Sequence, residues 1–182
     1  KDDLDYLNEE NAYTKAMMKH TEPLQEKLFN EIKSRIKEDD QSVPVSTNGY
    51  SYYTRYEIGD DYALYCRKAL TEGAEEEILL NGPEMGKDQS YFSIGDYEIS
   101  EDNKMMAYST DYVSRREYTI HIKNLETDEI LSDEIAETTG GITWANDNKT
   151  IYYTKKDPVT LRSYQIYKHV IGADSKDDAL VY

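Results

Sequence analysis

A mainly β chain led by two α-helices is the fold class that these 182 residues predict, and three observations predict it. Up to about residue 41 the apolar side chains recur at helical spacing. Beyond that point short stretches of Tyr, Thr, Ile and Val are punctuated by Gly, Asn, Asp and Pro. Within this second part a turn-and-strand pattern recurs at a period of 45 to 46 residues. Four-stranded units at such a period are the mark of β-propeller blades. The expectation is therefore a partial β-propeller of about three four-stranded blades, preceded by two N-terminal α-helices.

The helices come first. Leu4, Leu7, Tyr13 and Met17, then Leu24, Leu28, Ile32 and Ile36, mark two apolar stripes. Pro23 is tolerated in a first helical turn and not in a helix interior, and Thr21 can cap, so the break belongs near His20 to Glu22. The second helix is expected to run to about Lys37, where Glu38, Asp39, Asp40 and then Pro44 stop it. This gives a helical segment over 1–41 and a β segment over 42–182.

The β segment reads as strands at Tyr50 to Arg55, Tyr62 to Lys68, Glu77 to Leu80, Tyr97 to Ser100, Lys104 to Ser109, Tyr118 to Asn124, Ile130 to Ile135, Ile142 to Ala145, Thr150 to Lys155, Tyr164 to Val170 and Ala179 to Tyr182. Asp102-Asn103-Lys104 before an Ala-Tyr-Ser strand recurs as Asp147-Asn148-Lys149 before a Tyr-Tyr-Thr strand. In step with them, Tyr118-Thr119-Ile120 recurs as Tyr164-Gln165-Ile166. Asn48-Gly49-Tyr50 opens a weaker, earlier copy. One blade cannot bury both of its faces, and neighbours stacked around an axis cover them. Three blades do not close a ring, so the chain is expected to be a fragment whose last blade leaves an apolar face exposed. The competing arrangement is a self-contained β-sandwich with coincidental spacing.

Tyr supplies 18 residues and Phe only 2, and only Tyr6 and Tyr13 precede residue 50, which fits half-buried sheet faces after the boundary. A net charge of −16 and a pI near 4.5 argue against nucleic acid and anionic membrane surfaces, and leave a solvated acidic surface or cationic partners. The single cysteine, Cys66, excludes an intrachain disulfide and fits a reducing compartment, with cytoplasm as the default. No window approaches a spanning helix. No signal peptide is visible, but the chain starts at Lys1 and not at Met, so its true start is not fixed.

Chemistry-bearing motifs are scarce. His20, His121 and His169 are scattered without metal-ligand spacing, so no metal is expected, and no cofactor motif occurs. Gly-x-Ser-x-Gly is absent. The acid pairs Asp60 with Asp61 and Asp177 with Asp178 read as solvated turn formers, and Cys66 as a small buried hydrophobe. Arg115 and Arg116 interrupt a very acidic chain at a strand connection. They could clamp a carboxylate, bridge to another domain or form a local ion pair.

Several ordered blocks resemble one family. Tyr6-Leu7-Asn8-Glu9-Glu10-Asn11-Ala12-Tyr13-Thr14, Asn48-Gly49-Tyr50-Ser51-Tyr52-Tyr53, Tyr65-Cys66-Arg67, Phe92-Ser93-Ile94-Gly95-Asp96, Ser114-Arg115-Arg116-Glu117-Tyr118, Trp144-Ala145-Asn146-Asp147 and Tyr164-Gln165-Ile166-Tyr167-Lys168-His169 are similar in order and spacing to the oligopeptidase B branch of the prolyl oligopeptidase family of serine peptidases. The resemblance implies a cytoplasmic peptidase that cleaves short peptides after Lys or Arg, with a seven-bladed propeller filtering by size over an α/β-hydrolase domain. It places the Ser-Asp-His triad downstream, so this chain is expected to be catalytically silent. The resemblance also puts Asp111, Arg115 and Arg116 on a loop near the facing domain, in an interdomain or substrate-gating role. Expected partners are short basic peptides and the chain's own hydrolase domain. The alternative is a stand-alone interaction propeller without catalysis.

Overall fold

A computed structural model describes residues 2–182. It divides into two compact units, one ending at Asp40 and the other spanning Gln41–Tyr182.

In the first unit, α1 (Asp2–Met18) passes through one 3-10 turn (Lys19–Thr21) into α2 (Glu22–Lys33). Asp3 and Asp5 at its start and Lys15 near its end complement the helix dipole of α1. The predicted break falls where expected, but Thr21 does not cap α2. Its backbone stays in the right-handed helical region, and its hydroxyl instead donates to the Met18 carbonyl at 2.6 Å. α2 also ends four residues short of Lys37. The Ser34 hydroxyl donates to the Glu31 carbonyl, and the amides of Arg35 and Ile36 bond the carbonyls of Ile32 and Lys33, which tightens the chain out of α geometry. The apolar residues of both helices, among them Leu24, Leu28 and Ile32, are exposed, and so is Ile36 beyond the end of α2.

The second unit is antiparallel throughout. β1 (Val45–Thr47), β2 (Tyr50–Arg55), β3 (Leu64–Ala69) and β4 (Glu76–Asn81) form one four-stranded sheet in sequence order. After the one-turn helix α3 (Gly82–Gly86) come β5 (Ser93–Ile99), β6 (Met105–Asp111), β7 (Tyr118–Asn124), β8 (Ile130–Trp144), β9 (Thr150–Lys156), β10 (Ser163–Val170) and β11 (Ala179–Leu180), hydrogen-bonded in that order. β8 merges two strands expected separately. Its first half pairs with β7 as the outer strand of one blade, and its second half pairs with β9 as the inner strand of the next. Positive φ at Glu137 (62°) and Gly140 (93°) turns the chain between the halves without ending the strand. The four-stranded repeat is thus present, with its blade boundary inside a strand.

Each repeat opens on a tight turn around an Asn in the left-handed region: Asn48 (φ 50°), Asn103 (62°) and Asn148 (57°). The preceding Asp fixes the later two turns. Asp102 accepts from the Ser100 hydroxyl and the Lys104 amide, and Asp147 from the amides of Lys149 and Thr150 and the Thr150 hydroxyl.

The core lies between the blades. Strand alternation sends Met106 and Tyr108 of β6 against Leu79 and Leu80 of the first sheet. Ala107, between them, joins Ile120, Ile122, Ile135, Ile142, Ile151 and Tyr153. One strand therefore feeds two cores, which is why its residues from Met106 to Asp111 are all buried. Cys66 is fully enclosed, as the sequence suggested, and burial pushes its thiol up to about 11.

Candidate functional site

The inner strands β1, β5 and the second half of β8 are tied together across the blade seams. Asp96 of β5 accepts from the Ile142 amide at 3.1 Å, and the Trp144 indole donates to the Glu98 carbonyl at 2.9 Å. The turn asparagines continue the seams. Asn148 accepts from the Asp102 amide at 3.1 Å, Asn103 donates to the Asn48 carbonyl at 3.1 Å, and Asn48 donates to the Glu101 carbonyl. Arg67 is buried beneath them, with Tyr50 stacked 4.3 Å away, Glu77 paired at 2.8 Å and the Asn103 carbonyl at 3.1 Å. A cavity of about 280 Å³ opens at this first seam, lined in part by Tyr52, Tyr97, Glu98 and Asn103. Lost hydration raises the Glu98 carboxyl above its ordinary range, and the charge of Asp96 adds to the effect.

Of the three residues predicted as gating candidates, Asp111 ends β6, and Arg115 and Arg116 lie on the loop that follows it to β7. Asp111 is 1% exposed, and both of its oxygens serve the loop itself. One accepts from the amides of Val113 and Ser114 at 2.7 and 3.0 Å, the other from the Arg116 amide at 2.8 Å. These bonds hold Ser114 and Arg116 at φ 66° and 55°. Arg115 and Arg116 are exposed, and among the described residues neither forms an ion pair. Asp111 shapes the loop, and the two guanidinium groups are what the loop presents.

A third constellation went unrecognised in the sequence. His169 of β10 is wholly buried, with Nδ1 2.7 Å from Asp178 and Nε2 2.9 Å from Asp133 of β8. Tyr153 donates to the other oxygen of Asp178 at 2.7 Å, and the Gly172 amide donates to Asp133. The cluster joins the outer strand of one blade to two strands of the next. Burial and the Asp178 carboxylate together raise the Tyr153 hydroxyl far above its ordinary value. The signal that could have found it is the repeat. His169 follows Lys123 by the same 46 residues that separate Tyr118 from Tyr164, and Lys123 likewise reaches back a blade, donating to the Leu79 carbonyl at 3.0 Å.

Comparison with known proteins decides what carries these features. The model of the prolyl oligopeptidase N-terminal β-propeller domain matches residues 1–182. The chain belongs to the prolyl oligopeptidase family. It is 41% identical to dipeptidyl aminopeptidase BI of Pseudoxanthomonas mexicana, over the whole chain and 27% of that protein. It is 30% identical to protease 2 of Moraxella lacunata, over 98% of the chain and 27% of that protein. Oligopeptidase B from Leishmania major superposes with a TM-score of 0.87 at 28% identity, over 98% of this chain and 26% of that one. The chain thus spans about a quarter of the length of its relatives, and the family's propeller accounts for the open, three-blade sheet arrangement.

Proposed function

We propose that this chain is the leading part of the propeller of a serine oligopeptidase that hydrolyses short peptides after Lys or Arg, and that it acts as a size filter and gate over an active site supplied downstream. The observation that carries the proposal is the likeness to oligopeptidase B across both the helical and the β units. The charge of −16 supports basic peptides as substrates, since a negative rim concentrates cations. In this reading residues 1–41 form a helical lead and 42–182 the first blades, no cofactor is required, the compartment is the cytoplasm, and Arg115 and Arg116 meet carboxylates of the hydrolase domain in the closed form.

The test uses the full-length protein. A short arginyl peptide should be cleaved after Arg, and a folded protein carrying the same sequence in an exposed loop should not. Equal cleavage of both would overturn the filter. Replacing both arginines by Ala should lower kcat/KM for the peptide by about threefold to tenfold, on the scale of one or two surface-exposed charge pairs. A second reading has its own support, because the relative at 41% identity is named a dipeptidyl aminopeptidase. Release of dipeptides from free amino termini only, with N-acylated peptides refused, would favour it.

A further inference from the structure

A second pocket, of about 230 Å³, lies where β3 of the first sheet meets β5 of the next. Its walls are aromatic: Tyr56, Tyr62, Tyr65 and Phe92 line it together with Asp61 and Ser93. Packing sets these rings. Tyr62 meets Phe92 edge to face with centroids 5.2 Å apart, and Tyr65 meets Tyr97 in the same way at 5.3 Å. Two glycines permit the arrangement. A Cβ at Gly86 would come within 2.5 Å of the Tyr62 ring, and one at Gly82 within 2.3 Å of the Ala63 carbonyl oxygen. Asp61 is exposed and has no ion-pair partner among the described residues.

We propose that this pocket is a subsite for one cationic side chain, Lys or Arg, of a bound peptide. Aromatic faces attract ammonium and guanidinium groups, and the carboxylate of Asp61 supplies the countercharge. The volume falls below the roughly 300 Å³ at which whole-ligand pockets begin, and so suits a single side chain. The net charge of −16 favours a cationic occupant over an anionic one. Phe92 also packs against Tyr112 at 5.3 Å, so the wall of the pocket is continuous with the loop that carries Arg115 and Arg116. A peptide anchored here lies at the same end of the blades as that loop. The subsite rests on the peptidase reading only for the peptide nature of its ligand.

The experiment is calorimetric titration of the full-length protein, treated with a covalent serine-directed inhibitor, with Nα-acetyl-lysine methylamide and its uncharged near-isostere Nα-acetyl-norleucine methylamide. The lysine probe should bind on the order of threefold to tenfold more tightly. Asp61→Asn should abolish that preference and Tyr62→Leu should weaken it, whereas Tyr62→Phe, which keeps the ring, should retain it. Equal binding of the two probes, or a lysine preference that survives Asp61→Asn, overturns the subsite. A protein that ignores the inhibitor yet shows an Asp61-dependent preference sinks the peptidase reading and leaves the subsite standing.

Discussion

His169 sits between two carboxylates in a space that water does not reach, and its environment decides its role. Both ring nitrogens lie within hydrogen-bond reach of a carboxyl oxygen, so the ring ties Asp133 to Asp178. Removing the ring while keeping an apolar volume leaves Asp133 and Asp178 buried without the group that bonds both of them. His169→Leu is therefore expected to destabilise the β unit by about 3 to 5 kcal/mol. The measurement is a denaturant midpoint, and a loss near zero would show that the carboxylates find other donors. Replacing one of the two buried carboxyl groups with Asp133→Asn in the same chain should recover part of the loss. Cys66 is the contrasting case. Its raised thiol and full enclosure make it a small apolar filler.

At the scale of elements, β8 shows how a blade boundary is built into a strand. The Tyr118 ring is wedged between two glycines, since a Cβ at Gly95 would come within 2.6 Å of it and one at Gly140 within 2.8 Å. The Ser109 hydroxyl donates to the Gly140 carbonyl at 2.9 Å, and Gly140 itself has φ 93°. Gly140→Ala faces both the clash and the backbone strain, and should cost about 1 to 3 kcal/mol. Gly141→Ala, where nothing lies within 4 Å, should leave the melting temperature nearly unchanged. Equal effects at the two positions would refute this account of the bend. The same logic explains why strand limits were harder to read than strand identities. Alternation marks β6 and β7 clearly, but whether Ile130 to Trp144 is one strand or two depends on the φ of Glu137 and Gly140. The helix break was legible because proline restricts the chain locally, whereas the end of α2 turns on a Ser34 side-chain bond.

On the scale of the whole molecule, the balance of 37 acidic against 21 basic residues generates a long-range field that no single pair in the structure accounts for. Surface pairs such as Lys104 with Glu126 contribute little to stability, so the field matters for encounter. If the parent takes basic peptides, kcat/KM for an arginyl substrate should fall as salt is raised from about 0.01 M to about 0.15 M, because the screening length contracts from about 30 Å to about 8 Å. A flat salt profile would assign the charge to solubility alone.

The sequence by itself determined the fold class, the order of helices and strands, the period of the blades and the family. Fold class, order and period rest on local turn chemistry and on alternation, which each segment carries without its neighbours, and the family rests on the resemblance of ordered blocks of residues. Tertiary structure alone decided that Asp111 serves its own loop, that β8 spans two blades, that His169 is held by acids 36 and 9 residues away, and that Asp61, Tyr62 and Phe92 line one pocket. The contacts of His169 with Asp133 and of Tyr62 with Phe92 depend on which residues of one blade face the next. That facing is set by stacking across a seam, where partners distant in the chain meet and no local pattern records them.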